Sequence, residues 1–281
     1  MRQWRRKRKA RTMAIDKRLG FLGFGNMGRA IAGGLIERDT MRPEHLAAFD
    51  VDDAKRAAAQ AMGMRVADSA GALAEASDAL LVAVKPQHAL EALEPLAGSF
   101  DSGTLVISIC AGLSTGFFQE RLGTNVRVVR VMPNTPALVG AGASAIAPGR
   151  NCREDDIAFA KAVFESVGLV EVVPESAMDG VTALSGSGPA YFFYLVECLV
   201  RAAREEGLTE AQATELAKQT ALGAGRLLME SGESAGVLRE RVTSKGGTTE
   251  AALRAFREHG FEEVIRAGVA AAAARSRELG R

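Results

Sequence analysis

From residue 19 to about residue 174 the chain alternates short β-rich apolar segments with Ala-rich segments of helical spacing, and beyond Pro174 the β-rich segments stop. The strand candidates are LGFLG, LAAFDV, ALLVAV, TLVISI, VRVVRV, ASAIAP and LVEVV. Alternation of this kind reads as successive βαβ units. Continuous apolar runs such as 79–84 and 104–109 suit strands buried on both faces, which a parallel sheet covered by helices requires. The expected fold class is therefore α/β, an open, Rossmann-type doubly wound sheet over 19–174, followed by an all-helical domain over 175–281. Segments 189–206, 209–231, 234–242, 248–259 and 261–279 carry the helical spacing. Gly223 and Gly225 fall inside one of these helices at a cost of roughly 1 kcal/mol each, which predicts a close helix–helix contact there.

Gly23-Phe24-Gly25-Asn26-Met27-Gly28 follows the first strand directly and opens an apolar helix. In that context Gly23 permits a tight turn, Gly25 lets backbone approach a pyrophosphate, and Gly28 allows close helix–strand packing. The helix N-terminus adds N–H donors and partial positive charge. Asp50, 22 residues beyond Gly28, ends the second strand, where a carboxylate accepts hydrogen bonds from an adenosine ribose and favours NADH. Lys55 and Arg56, one turn further on, suit either a 2′-phosphate or solvent, so NADH and NADPH both remain open as cofactor. Val84-Lys85-Pro86-Gln87 and Cys110-Ala111-Gly112 end two further strands, where open α/β sheets place their ligand crevice. Lys85 reads as a positioning or surface group and Cys110 as a small buried thiol.

Two motifs in the helical half set hydroxyl and glycine residues before helices: Leu184-Ser185-Gly186-Ser187-Gly188-Pro189 and Ser244-Lys245-Gly246-Gly247-Thr248-Thr249. Each suits a carboxylate at unpaired helix N–H groups, or ordinary Ser/Thr capping. Reduction of a ketone calls for a proton donor, and Lys245 is the only His, Lys or Tyr in these loops. An imine that arrives protonated needs hydride, positioning and exclusion of water, so this absence ranks C=N above C=O.

Charge and cysteine content narrow the setting. Residues 1–18 hold nine Lys or Arg against Asp16, so a chain of net charge +1 has a body of about −7 beyond that leader. The leader lacks the apolar region of a secretory signal and reads as a disordered, solvated tail, or as an over-long start with Met13 as initiator. Three scattered cysteines and three scattered histidines predict reduced thiols, no metal site and a cytoplasmic protein without nucleic-acid or membrane partners.

The segments FLGFGNMGRAI, VAVKPQ, VMPNTPALVGAG, ALSGSGPAYFF and TSKGGTTEAAL resemble, in this order, the signature segments of pyrroline-5-carboxylate reductases over about residues 19–279. The resemblance implies reduction of 1-pyrroline-5-carboxylate to L-proline by NADPH or NADH. It also implies a homodimer with interleaved helices, assembled in many relatives into a larger ring. By resemblance Ser244, Gly247 and Thr248 hold the substrate carboxylate with Ser187 nearby, and Thr249 contacts the ring nitrogen. Val84, Lys85, Pro86, Cys110, Ala111 and Gly112 line the nicotinamide, with Asn134 close. The sequence departs from the family at Ala70, where many relatives carry a cofactor-contacting Asn. Two other readings share the architecture. A β-hydroxyacid-type dehydrogenase would, by resemblance, carry a Lys in the first long helix of the second domain, and 189–206 has none. The other is a regulatory protein that binds nucleotide without chemistry.

Overall fold

A computed structural model describes residues 15–98, 100 and 103–280. It divides into two compact units, one formed by residues up to Gly186 together with Ala272 onward, the other by Ser187–Ala271. Most of the basic leader lies outside the described residues. The end of the leader is held to the body: Ile15 N–H donates to the Thr40 carbonyl, and Arg18 pairs with Asp78 at 2.9 Å. The expected disordered leader therefore does not reach residue 18.

The first unit is an eight-stranded sheet in the order β3-β2-β1-β4-β5-β6-β7-β8. The strands are β1 (Leu19–Leu22), β2 (Leu46–Phe49), β3 (Arg65–Val66), β4 (Ala79–Val82), β5 (Leu105–Ser108), β6 (Arg127–Met132), β7 (Gly142–Pro148) and β8 (Gly168–Val172). All neighbours are parallel except β6 and β7, which run antiparallel. The chain turns between these two through a short 3-10 segment, Thr135–Val139, so this connection is not a βαβ unit. Successive residues of the central strands feed opposite cores. Phe21, Leu81, Ile107 and Val129 pack on one face with α1 (Asn26–Glu37) and Phe159 and Phe164. Leu22, Leu80, Val82, Val106 and Val128 pack on the other with Leu73, Leu93 and Phe118. Burial on both faces is why these strands read as unbroken apolar runs.

The helices between strands are α2 (Asp53–Ala61), α3 (Ala70–Glu75), α4 (Ala89–Leu93), α5 (Thr115–Leu122) and α6 (Glu154–Glu165). Beyond β8, residues 175–186 stay with the sheet although their composition is helical. Met178 of α7 (Met178–Val181) is fully buried against Ala145 and Ala147. Glu175 accepts hydrogen bonds from both the N–H and the hydroxyl of Thr115, each at 2.7 Å. Thr182–Gly186 then forms a π-helical turn.

The second unit holds α8 (Gly188–Glu205), α9 (Glu210–Glu230), α10 (Ala235–Arg241), α11 (Thr248–Glu258) and the start of α12 (Phe261–Leu279), whose residues from Ala272 return to the first unit. Helices α8 and α9 pack on each other, and a reciprocal cap between Thr209 and Gln212 starts α9. The close contact expected at Gly223 and Gly225 is absent within the chain: nothing among the described residues lies within 4 Å of a Cβ built at either. The unit also exposes Phe192, Phe193, Tyr194, Leu222, Met229 and Val264. An apolar surface of this extent marks a region that another surface covers.

Candidate active site

In the first unit the candidate residues gather at the C-terminal edge of the sheet, because β1, β2, β4, β5 and β6 all end there. Gly23 has φ +91°, and a Cβ on it would fall 2.9 Å from the Ala83 carbonyl, so only glycine fits the turn. A Cβ on Gly28 would meet the Gly23 oxygen at 3.0 Å, which is the close helix–strand approach that its position predicts. Gly25 is different, since nothing lies within 4 Å of its added Cβ. It is also the N-cap of α1 and supplies no capping side chain, so the first N–H groups of that helix face open space beside Asn26 and Met27. An anion such as a pyrophosphate fits this cradle.

Asp50 is drawn under the glycine loop. Its Oδ2 accepts the Phe24 N–H at 2.8 Å, and its Oδ1 accepts the Asp52 N–H at 3.0 Å and Lys55 Nζ at 3.3 Å. Burial pushes the Asp50 carboxyl upward, but these donors outweigh burial and hold it below the usual carboxylate range. Asp50 thus braces the loop as well as ending β2, a contact that strand spacing does not reveal.

Cys110 is buried, with Sγ 3.3 Å from the Val84 oxygen and 3.8 Å from that of Val82, so the ends of β4 and β5 lie side by side. Burial pushes its thiol up to about 11, which removes it as a nucleophile at neutral pH. Lys85 is exposed and precedes the turn Pro86–His88. Gly112 has φ +81°, and Leu279 and Gly280 at the end of α12 occupy the space beside it, so it faces the chain's own C-terminal helix, next to the half-buried Ala111. Buried Asn134 is a strut: Oδ1 accepts the Ala143 N–H at 2.8 Å and Nδ2 donates to the Ser185 oxygen at 3.0 Å. The first glycine-hydroxyl motif is therefore no open loop before Ser187. Its first half is the π turn, anchored by Asn134, and π turns of this type recur at functional sites. Ala70, the position that departs from the family pattern, is buried at the start of α3.

In the second unit the Ser244–Thr249 motif forms a tight turn into α11. Gly247 N–H donates to the Ser244 oxygen at 3.0 Å, so it is engaged within the turn. A Cβ on Gly247 would fall 2.4 Å from Ser244 Oγ. Gly247 is the N-cap of α11 and again gives no side-chain cap, so no capping side chain takes up the first N–H groups of that helix. The hydroxyls of Ser244, Thr248 and Thr249 have no hydrogen-bond partner among the described residues. Sequence reasoning missed Glu250, whose carboxylate accepts the Gly246 N–H at 2.7 Å and puts a negative charge at the rim. Ser187 makes no side-chain cap bond at the start of α8, and the N-cap of α11 is Gly247, which has no side chain to offer. By contrast Asp52, Ser69, Ser114, Thr209 and Ser234 each close a helix start. Among the described residues no group of three His, Cys, Asp or Glu could hold a metal ion.

Residues 175–279 match the family described as pyrroline-5-carboxylate reductase dimerisation, and residues 18–112 match NADP oxidoreductase coenzyme F420-dependent. The chain is 40% identical over 267 residues to a pyrroline-5-carboxylate reductase of Methanosarcina acetivorans, covering 95% of this chain and 99% of the relative. Among solved structures, a pyrroline-5-carboxylate reductase from Coxiella burnetii superposes with a TM-score of 0.89 at 35% identity, covering 94% of this chain and 99% of that one. The Plasmodium falciparum pyrroline carboxylate reductase with NADP bound gives 0.83 at 30% identity, covering 95% and 100%. Five signature segments in order, a sheet edge with an open glycine helix start, and identity along nearly the whole chain agree: the chain belongs to the pyrroline-5-carboxylate reductase family.

Proposed function

We propose that this chain reduces 1-pyrroline-5-carboxylate to L-proline with NADPH or NADH, the last step of proline biosynthesis. The observation that carries the reading is the pair of helices that start on glycine without a cap, α1 at Gly25 and α11 at Gly247. The first suits the cofactor pyrophosphate and the second the substrate carboxylate, two anions that the reaction must hold at once. NADP bound to the Plasmodium relative supports a dinucleotide at the first. When bound, the reduced nicotinamide supplies the hydride.

The chain's own residues bind and orient. Gly23 to Gly28 would hold the pyrophosphate while Asp50 fixes the loop, and Val84, Lys85, Pro86, Cys110, Ala111, Gly112 and Asn134 would serve the nicotinamide end of the dinucleotide. Ser244 and the N–H groups of Thr248 and Thr249 receive the carboxylate, while Gly247 keeps that space clear of a side chain. The Thr249 hydroxyl orients the ring nitrogen, and Ser187 lies at the start of α8. No acid need be supplied if the imine binds protonated, so positioning and water exclusion do the work. The exposed apolar helices of the second unit and its match to a dimerisation family support a homodimer; a ring of such dimers, a cytoplasmic setting and no nucleic-acid or membrane partner complete the proposal. No helix among the described residues is long and apolar enough to cross a membrane.

The test is oxidation of NADH and NADPH by the purified protein with 1-pyrroline-5-carboxylate, with proline identified as product. Thr249→Val should lower turnover at least about ten-fold and leave cofactor affinity within about two-fold. No turnover from a folded protein that still binds dinucleotide would overturn the reading.

A further inference from the structure

We infer that the cofactor site discriminates against the 2′-phosphate of NADPH, and so selects NADH, through Asp50, Asp52 and Asp53 at the end of β2 and the start of α2. The inference rests on the dinucleotide reading of the Gly23–Gly28 loop. Folds of this class choose between the two cofactors at the end of the second strand, where an acid takes the ribose hydroxyls and a base takes the phosphate.

Asp50 has a side chain only 7% exposed. A carboxylate offers about four acceptor positions. Phe24 N–H occupies one on Oδ2, and Asp52 N–H and Lys55 Nζ occupy those on Oδ1. One position on Oδ2 stays open, which suits a hydroxyl donor and repels a phosphate, whose oxygens only accept. The N-terminus of α2, otherwise a natural phosphate seat, is closed by Asp52, whose Oδ1 accepts the Ala54 N–H at 2.9 Å. Asp53 adds a second exposed carboxylate in the first turn.

The two cations of this segment are engaged with those acids. Lys55 Nζ is 3.3 Å from Asp50 Oδ1 and 3.8 Å from Asp52 Oδ2. Arg56 donates through Nη1 to the Asp50 carbonyl at 2.6 Å and through Nη2 to the Asp53 carboxylate. Three acids against two bases leave the segment at −1 before any ligand arrives. A 2′-phosphate would have to draw Lys55 or Arg56 away from these acids and lie among the carboxylates left behind.

The experiment is calorimetric titration of the intact protein with NADH and with NADPH at physiological ionic strength, alongside kcat/KM for each. We expect NADH to bind at least about ten-fold more tightly. Asp52→Ser/Asp53→Ala, which keeps a capping hydroxyl at position 52, should shift the ratio of the two dissociation constants toward NADPH at least about five-fold. Equal affinity, or tighter NADPH, overturns the inference while turnover with 1-pyrroline-5-carboxylate leaves the reductase reading standing. Preference for NADH without turnover does the reverse. An NADH preference that the double variant does not move overturns the assignment to Asp52 and Asp53, and binding of neither dinucleotide overturns both readings.

Discussion

Gly23 and Gly25 lie two residues apart and make opposite demands. At Gly23 the left-handed backbone and the Ala83 carbonyl 2.9 Å from an added Cβ exclude any side chain on steric grounds. At Gly25, with φ −75° and open space around the added atom, the chain itself has no objection to alanine. Gly23→Ala should therefore cost about 1–3 kcal/mol of stability in a urea titration. Gly25→Ala, at an N-cap where alanine is less favourable than glycine, should cost no more than about 1 kcal/mol of stability, yet weaken dinucleotide binding at least about ten-fold. If Gly25→Ala bound cofactor as well as the parent, the pyrophosphate would lie elsewhere. Cys110 supplies a second test at this scale. With burial pushing its thiol up to about 11, it is neutral throughout the ordinary working range, and the thiolate needed for alkylation forms only as pH climbs toward that value. Peptide mapping after iodoacetamide treatment of the native protein at pH 7.5 should find Cys110 unmodified, and denaturation should expose it to labelling.

Elements differ in how much of themselves they write into local sequence. The strands at 79–82 and 105–108 were legible because burial on both faces demands unbroken apolar runs, and the helices of the second unit because Thr209, Ser234 and the glycines between them punctuate the 3.6-residue period. Strand β3 was not legible: Arg65 and Val66 are two exposed residues at the sheet edge and show no alternation to read. The π turn at Thr182–Gly186 looked like a loop because its Ser and Gly suit loops, while what holds it, Asn134 Nδ2 on the Ser185 oxygen, comes from 51 residues away. The glycine fingerprint of the candidate site was equally plain in sequence, whereas the bond from Phe24 N–H to Asp50 depends on tertiary approach. Glu175 belongs with the invisible contacts. It caps α5 from outside by accepting from Thr115 N–H and Oγ1, and lies 3.5 Å from Arg130, whose side chain is 10% exposed. Glu175→Ala leaves those donors and that cation without their partner, and should destabilise the protein by about 1–3 kcal/mol. Glu175→Gln, which retains one acceptor, should lose less, and equal losses in thermal melts would mean that the charge on Arg130 rather than the cap is what Glu175 serves.

At the scale of the whole molecule, the helical unit is the part whose own chain leaves it least covered. Phe192, Phe193 and Tyr194 on α8 and Leu222 and Met229 on α9 are each more than half exposed, and Gly223 and Gly225 stand in the same stretch with nothing near them. Two glycines in a 21-residue helix make sense where another backbone must come close, and among the described residues none does. A second copy of the helical unit, which matches a dimerisation family, is the surface that fits. Gly223→Leu separates the two contributions by sign. Leucine favours helix over glycine by roughly 0.5–0.8 kcal/mol, so α9 taken alone becomes more stable, and no neighbour among the described residues is displaced by an added Cβ. A subunit interface that depends on close approach at Gly223 would be forced apart by the added side chain. Sedimentation velocity should then show Gly223→Leu shifted to monomer at concentrations where the parent is dimeric, with helical content by circular dichroism equal to the parent's or higher. A variant that stays dimeric would place the contact elsewhere on α8 and α9 and leave the two glycines without a packing role.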